Sequence, residues 1–234
     1  MKRKVVSVII PAYNEAEFIY ETLINLKFTW IKEIIVVDDG STDDTYLKAK
    51  ECLKEAHNIS LFRFSKNKGK GEAVTYGLDK AEGDIILLID ADLGKSVVEA
   101  EKLVIPIFKN KAQITIGELP IIGGGIGAVR KGADLALKLI TGREMKAPLS
   151  GQRAFKRDVI KELIPFSSGF GLEIGMDIDI IAKNYRYQEI FCNFQHNVSG
   201  HSPAGYRHRF KQFRDILKTS MVKGYQLKGF KKIR

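Results

Sequence analysis

The chain has 234 residues, with 38 Lys and Arg against 28 Asp and Glu, a formal net charge of +10 and 44% hydrophobic residues. That length and apolar fraction suit one large globular domain and exclude a disordered chain. No apolar run reaches membrane-span length, the N-terminal greasy stretch is too short for a secretory leader, and Cys52 and Cys192 lack C-x-x-C spacing. A reducing, cytoplasmic setting is therefore expected, without disulfides or a zinc site.

The first half alternates strand-like and helix-like segments. Residues 5–10 are apolar but for Ser7 and end at Pro11, the pattern of a buried parallel strand. Residues 15–26 carry Phe18, Ile19, Leu23 and Leu26 at helical spacing. A strand at 33–37 stops at Asp38-Asp39-Gly40-Ser41, and Thr42 or Asp43 can cap a helix running through Tyr46, Ala49 and Leu53. A third strand at 60–64 leads into a Gly- and Lys-rich loop at 66–70, then a helix at 72–81. The fourth strand, 84–89, ends at Asp90-Ala91-Asp92. Strand–helix alternation predicts βαβ units and an α/β fold with a mostly parallel sheet flanked by helices. In such sheets ligands bind beyond the carboxyl ends of the strands. Asn14-Glu15, Asp38-Asp39 and Asp90/Asp92 all fall at such ends.

The second half is less regular. Helices are expected at 97–108, 128–140, 158–163 and 172–183, and strands at 113–116 and 189–194. Gly123-Gly124-Gly125 reads as a linker or as a lid at an acceptor mouth. With no internal repeat or Pro/Ser-rich linker, the chain is taken as one domain with two functional halves, 1–95 and 96–200, and a basic tail, 201–234. That tail holds ten Lys and Arg against the single acid Asp215. Its bland account is a solvated helix face with a frayed end; the sharper one is an anionic partner, such as substrate phosphate or an acidic lipid surface. No nucleic-acid motif accompanies the charge, so nucleic acid is not expected as a partner.

An isolated D-x-D is as readily a solvated turn as a ligand pair. At a strand end, beside other polar clusters, Asp90 and Asp92 instead suit a divalent cation bridging a diphosphate. Lys70 sits between glycines, where backbone N–H groups and an ammonium can meet an anion. His196, His201 and His208 fall within 13 residues of one another, and His196, after the late strand, is the best ligand candidate. Glu173, flanked by Gly171 and Gly175, is poorly explained as core. Arg153 and Arg130 are candidate clamps for an acceptor anion.

Four segments, 8–15, 36–43, 67–73 and 88–92, resemble in order the nucleotide-sugar half of family 2-type glycosyltransferases. The segments 147–154, 165–175 and 189–196 resemble glucosyl-3-phosphoglycerate synthases. The resemblance implies a GT-A, Rossmann-like fold, a UDP-sugar donor (UDP-glucose first) and Mg2+ or Mn2+. It places Pro11, Ala12, Tyr13, Asn14, Glu15, Asp39, Ser41, Lys70, Asp90, Ala91 and Asp92 at the nucleotide sugar. It assigns Asp90, Asp92 and His196 to the metal, and Glu173 beside Asp92 to catalysis as a base or sugar-orienting group. Gly124, Gly125, Ile126, Gly151 and Arg153 fall on the acceptor side. There the chain departs from the pattern: Ile126 stands where the phosphoglycerate enzymes carry an arginine that holds the acceptor phosphate. The implied activity is sugar transfer from a UDP-sugar to a hydroxyl acceptor that the sequence does not identify. A polyprenyl-phosphate sugar transferase touching the membrane through the basic tail, and a non-catalytic nucleotide-sugar binder, are the alternatives. Retention or inversion at the anomeric carbon, and monomer or homodimer, stay open.

Overall fold

The structure is a computed structural model that describes residues 4–54, 58–118, 126–167, 169, 171–195 and 214–227. The apolar runs decide its layout. Strands β1 (Val6–Ala12), β2 (Ile31–Asp38), β3 (Ile59–Arg63) and β4 (Ile85–Leu88) pair in parallel, in the order β3-β2-β1-β4. Beyond β4 the sheet continues through β6 (Arg153–Lys156), β5 (Ile114–Glu118) and β7 (Tyr187–Phe191), giving seven strands. β6 runs antiparallel to both neighbours, while β5 and β7 are parallel.

Alternation along the strands sends side chains into two cores. Val8 and Ile10 of β1 meet α1 (Ile19–Ile24), α2 (Thr45–Cys52), a 3-10 helix (Gly94–Ala100) and α4 (Glu101–Phe108). Ile9 faces the opposite layer, built by α3 (Lys70–Lys80), α5 (Ile126–Thr141), α6 (Arg157–Lys161) and α7 (Gly171–Ala182). A last helix, α8 (214–227), joins this second layer through Ile216. Strands covered on both faces have no use for polar alternation, which is why residues 8–10 of β1, 34–37 of β2 and all of β4 read as apolar runs. The chain moves from β1 outward to β3, then crosses back to β4 on the other side of β1, so a crevice opens where the connections diverge.

The parallel α/β architecture is as expected, with four local differences. The helix expected over 15–26 is only α1, because the N–H groups of Glu15 and Ala16 donate to Thr45 Oγ1 (2.7 Å) and Asp43 Oδ2 (3.2 Å), which draws that turn toward the loop after β2. The helix expected from 97 starts at Gly94 as a 3-10 turn, its first N–H donating to Thr22 Oγ1 (2.8 Å). The late strand is β7, earlier than 189–194. After Cys192, whose N–H still donates to Glu118 O (2.9 Å), the backbone leaves β5 for the 3-10 helix, with Asn193 N–H donating to Glu99 Oε2 (2.7 Å) and Gln195 N–H to Ser96 Oγ (2.9 Å). Strand β6 was not foreseen: four residues with charged ends carry no period, and only pairing reveals them.

Among the described residues no helix is long and apolar enough to cross a membrane. Neither cysteine forms a disulfide and both are buried, and burial, reinforced by Glu99, pushes the Cys192 thiol up to about 12. The native protein is expected to show no thiol reactive toward Ellman's reagent at pH 8, and two once unfolded in guanidinium. Rapid native labelling of Cys192 would contradict the burial described.

Candidate active site

The carboxyl ends of β1, β2 and β4 lie side by side, and each is finished by a loop whose polar groups cross-link the others. After β1, the Asn14 N–H donates to Ser41 Oγ (3.0 Å), and Asn14 Oδ1 accepts from the Thr42 N–H (2.9 Å). Asn14 has positive φ, +57°, a conformation its short polar side chain tolerates when hydrogen-bonded in this way. Asp39 N–H donates to Ala12 O (2.8 Å), tying β2's loop to β1. The buried Asp39 carboxylate accepts from the N–H groups of Lys68 (2.7 Å) and Gly69 (2.8 Å), so it holds the loop that launches α3. Asp38 accepts from the Ser41 N–H (2.9 Å) and pairs with Arg63 Nε (3.0 Å), and Arg63 also donates to Ser41 O (2.9 Å). A cleft of about 330 Å3 opens here, lined by Gly40, Ser41, Arg63, Phe64 and Ser65.

Lys70, the first residue of α3, points across the crevice. Its Nζ lies 2.8 Å from Asp90 Oδ1 and 2.8 Å from Glu173 Oε1 on α7. Burial alone would lower this ammonium's pKa, but attraction and hydrogen bonding from the two carboxylates outweigh it and hold the pKa above lysine's usual value. The other Asp90 oxygen, Oδ2, accepts from Gln152 Nε2 (2.7 Å). Antiparallel β6 makes that contact possible. Arg153 pairs with Leu88, so the residues entering β6 hang over the exit of β4. Gly151 completes the crossing, since a Cβ there would lie 2.5 Å from Asp90 Oδ2 and 2.7 Å from Lys70 Nζ. Any side chain at 151 would fill the space between these charges.

The sequence candidates are distributed as follows. Asp39, Ser41, Lys70, Asp90 and Glu173 are gathered at the strand ends, with Pro11 and Ala12 finishing β1 and Tyr13 exposed beyond it. Lys70, expected at the nucleotide sugar, joins Asp90 to Glu173 across the crevice. Ala91 is buried and its carbonyl accepts from Thr22 Oγ1 (2.8 Å), which braces the turn carrying the part-buried Asp92. Arg153 is a correction. Expected as an acceptor clamp, it is 0% exposed; its guanidinium pairs with fully buried Asp177 (2.6 Å), and its Nε donates to Ser150 O (2.7 Å). Strand alternation puts Arg153 on the α7 side of the sheet, away from the crevice. Arg130 donates to Lys146 O. Gly124, Gly125, His196, His201 and His208 lie outside the described residues, as does the side chain of Ile126. No group of three His, Cys, Asp or Glu suited to a metal gathers among the described residues. Sequence reasoning missed Gln152 and Asp177. Period-two alternation from Arg153 would have separated Gln152 from its neighbour, but only once 153–156 was known to be a strand.

The glycosyl transferase family 2 model matches residues 7–170. The chain belongs to that family. It is 33% identical over 94% of its length to a dolichol-phosphate mannosyltransferase of Pyrococcus furiosus, covering 64% of that protein. It is 30% identical over 75% of its length to a glucosyl-3-phosphoglycerate synthase of Mycobacterium tuberculosis, covering 60% of it. The chain thus spans less than two thirds of the length of either relative. A crystal structure of the mycobacterial synthase with Mn2+, UDP-glucose and phosphoglyceric acid superposes with a TM-score of 0.78 at 25% identity, over 94% of this chain and 80% of that one. The expected GT-A fold is thereby established.

In this family 2 chain Arg153 and Asp177 form a buried pair, in which removal of one partner leaves a charge without compensation. Arg153→Met is expected to lower unfolding free energy by about 3–5 kcal/mol in urea titration, and Arg153→Met/Asp177→Leu to recover most of the loss. A stable single variant that loses only acceptor affinity would return Arg153 to the acceptor side.

Proposed function

We propose that the chain transfers a hexosyl group, glucose first among candidates, from a UDP-sugar to an acceptor oxygen, aided by Mg2+ or Mn2+. The observation that carries this reading is the convergence of Asp90, Lys70, Glu173 and Gln152 around a glycine-sized gap at the strand ends. Similarity to a structure holding Mn2+ and UDP-glucose supports the donor.

The residues fit a divalent cation. Asp90 and Asp92 offer hard oxygen donors at the end of one strand, and Gly151 keeps the space beside Asp90 clear. Asp90 and Asp92 would hold the cation together with His196. Gln195, the residue before His196, is anchored to Ser96, four residues past Asp92, which supports that assignment. When bound, the cation supplies Lewis-acid stabilisation of the departing diphosphate.

The remaining work falls to the chain itself. Gln152 fixes one oxygen of the Asp90 carboxylate before any ligand arrives, while Lys70 neutralises the other until a cation takes its place. The loops after β1 and β2 hold the nucleoside beside the Gly40–Arg63 cleft. Glu173, aimed by Lys70, accepts hydrogen bonds from sugar hydroxyls and orients the anomeric carbon toward the acceptor. The acceptor hydroxyl oxygen bonds to that carbon as the carbon's bond to the UDP oxygen breaks; the bonding pair leaves on the diphosphate, which also takes up the hydroxyl proton. A second reading keeps this donor chemistry and takes a polyprenyl phosphate as acceptor. It is favoured by the 33% identical relative and by Ile126, whose aliphatic side chain offers nothing to a phosphoglycerate anion.

Screening UDP-sugars with Mn2+ for UDP release, then adding acceptors, tests the proposal. Metal-dependent release from UDP-glucose is expected; tight donor binding without release or transfer would indicate a sensor. Asp92→Ala is expected to abolish Mn2+-dependent UDP binding in calorimetry with the fold intact. His196→Ala is expected to weaken metal-dependent turnover by roughly 10–100-fold, and His201→Ala by less. A reversed order would make His201 the ligand.

A further inference from the structure

Helix α8 has two faces of different chemistry. Ile216 and Ser220 are buried, and the helix comes close to α7 because α7 is notched there: a Cβ on Gly171 would collide with the Thr219 side chain, and one on Gly175 would lie 3.4 Å from Thr219 Cγ2. Lys223 pairs with Asp179, further along α7. The opposite face bears Leu217, Met221, Val222 and Tyr225, four large apolar side chains on the outside of a helix that is already docked. Ile140 of α5 lies 3.5 Å from where a Cβ on Gly224 would sit, so α5 and α8 touch. Leu139, beside that contact, is 76% exposed, Met221 is 74% and Tyr225 is 82%, the three most exposed large hydrophobics among the described residues.

We propose that the outer face of α8, together with the adjoining end of α5, is a docking surface for an anionic lipid bilayer. The argument for that occupant is charge. Exposed Arg214 and Lys218 share the apolar face, and residues 201–234 carry ten Lys and Arg against Asp215, whose carboxylate is itself paired with Arg214. Two copies of this surface would bring like charges together, whereas acidic headgroups complement them. An amphipathic helix lying in the interfacial plane buries its apolar side chains in the headgroup boundary while basic groups meet the lipid phosphates. At 14 residues α8 is about 21 Å long, enough to lie flat as an interfacial helix. Tyr225 has the amphipathic ring such a boundary favours. On α7, Gly171 and Gly175 face α8 while Glu173, half a turn away, reaches Lys70, so one helix separates the docking surface from the carboxylate cluster. The surface stands on its own observations and does not require the sugar-transfer reading.

Co-sedimentation of the full chain with phosphatidylcholine vesicles, with and without 25% phosphatidylglycerol, tests the proposal at 50 and 500 mM NaCl. Binding to the anionic vesicles at low salt is expected, falling at least tenfold in high salt, in neutral vesicles, and in Met221→Asp/Tyr225→Asp. Leu47→Asp places the same charge on an exposed apolar residue of α2 and should leave binding unchanged. Circular dichroism melts should show all variants folded, because the replaced side chains are exposed. The proposal is overturned if the double variant binds as the parent does, or if binding disappears only on removing residues 228–234. It is also overturned if light scattering shows a parent dimer that the double variant dissolves, for then a second copy holds the surface.

Discussion

Two carboxylates, Asp90 from the sheet and Glu173 from α7, face one crevice and share a single ammonium. Unit charges about 4 Å apart near a protein surface interact by about 4 kcal/mol before the screening that partial exposure brings. Lys70 turns what would be mutual repulsion into a bridge between the end of β4 and α7. Much of the architecture serves that bridge. The return from β3 to β4 carries α3, and thus Lys70, over the crevice, and the Asp39 carboxylate fixes the backbone just before it. Antiparallel β6 brings Gln152 and the bare backbone of Gly151 to the remaining side of Asp90.

The second layer supports the same point from behind. Asp177 lies one turn beyond Glu173 on α7, and its pairing with Arg153 binds that helix to the strand that delivers Gln152. Arg153 thus acts on the site through packing, although its side chain never enters it. On the outer side, the notches at Gly171 and Gly175 bring α8 close, so a helix with an apolar, basic exterior rests against the element that carries Glu173.

The fold was legible because strands buried on both faces are mostly apolar, and the central stretches of β1, β2 and β4 announce themselves that way. Polar clusters at their ends follow from the same rule, so Asp39 and Asp90 stood out by position, while Lys70 was singled out by its glycine-flanked loop and by the family resemblance. Glu173 stood out because a carboxylate flanked by Gly171 and Gly175 is poorly explained as core, and the family resemblance marks the same residue. What stayed hidden depended on partners distant in sequence. Arg153 beside Gly151 reads as an anion clamp until β6 is seen to turn it toward Asp177, and Gln152 gains meaning only when antiparallel pairing sets it over Asp90. The turn before α1 escaped helical periodicity because Thr45 and Asp43 capture its N–H groups from across the crevice.

The central claim is that Asp90 belongs to a cation site in which Lys70 is the resident counter-charge. Titrating Mn2+ into nucleotide-free protein, followed by electron paramagnetic resonance, tests it on the parent chain and on Lys70→Met. Removal of a competing ammonium from Asp90 is expected to tighten Mn2+ binding by roughly tenfold or more, about 1.4 kcal/mol, with the fold retained. Unchanged or weaker Mn2+ binding in Lys70→Met would contradict the account.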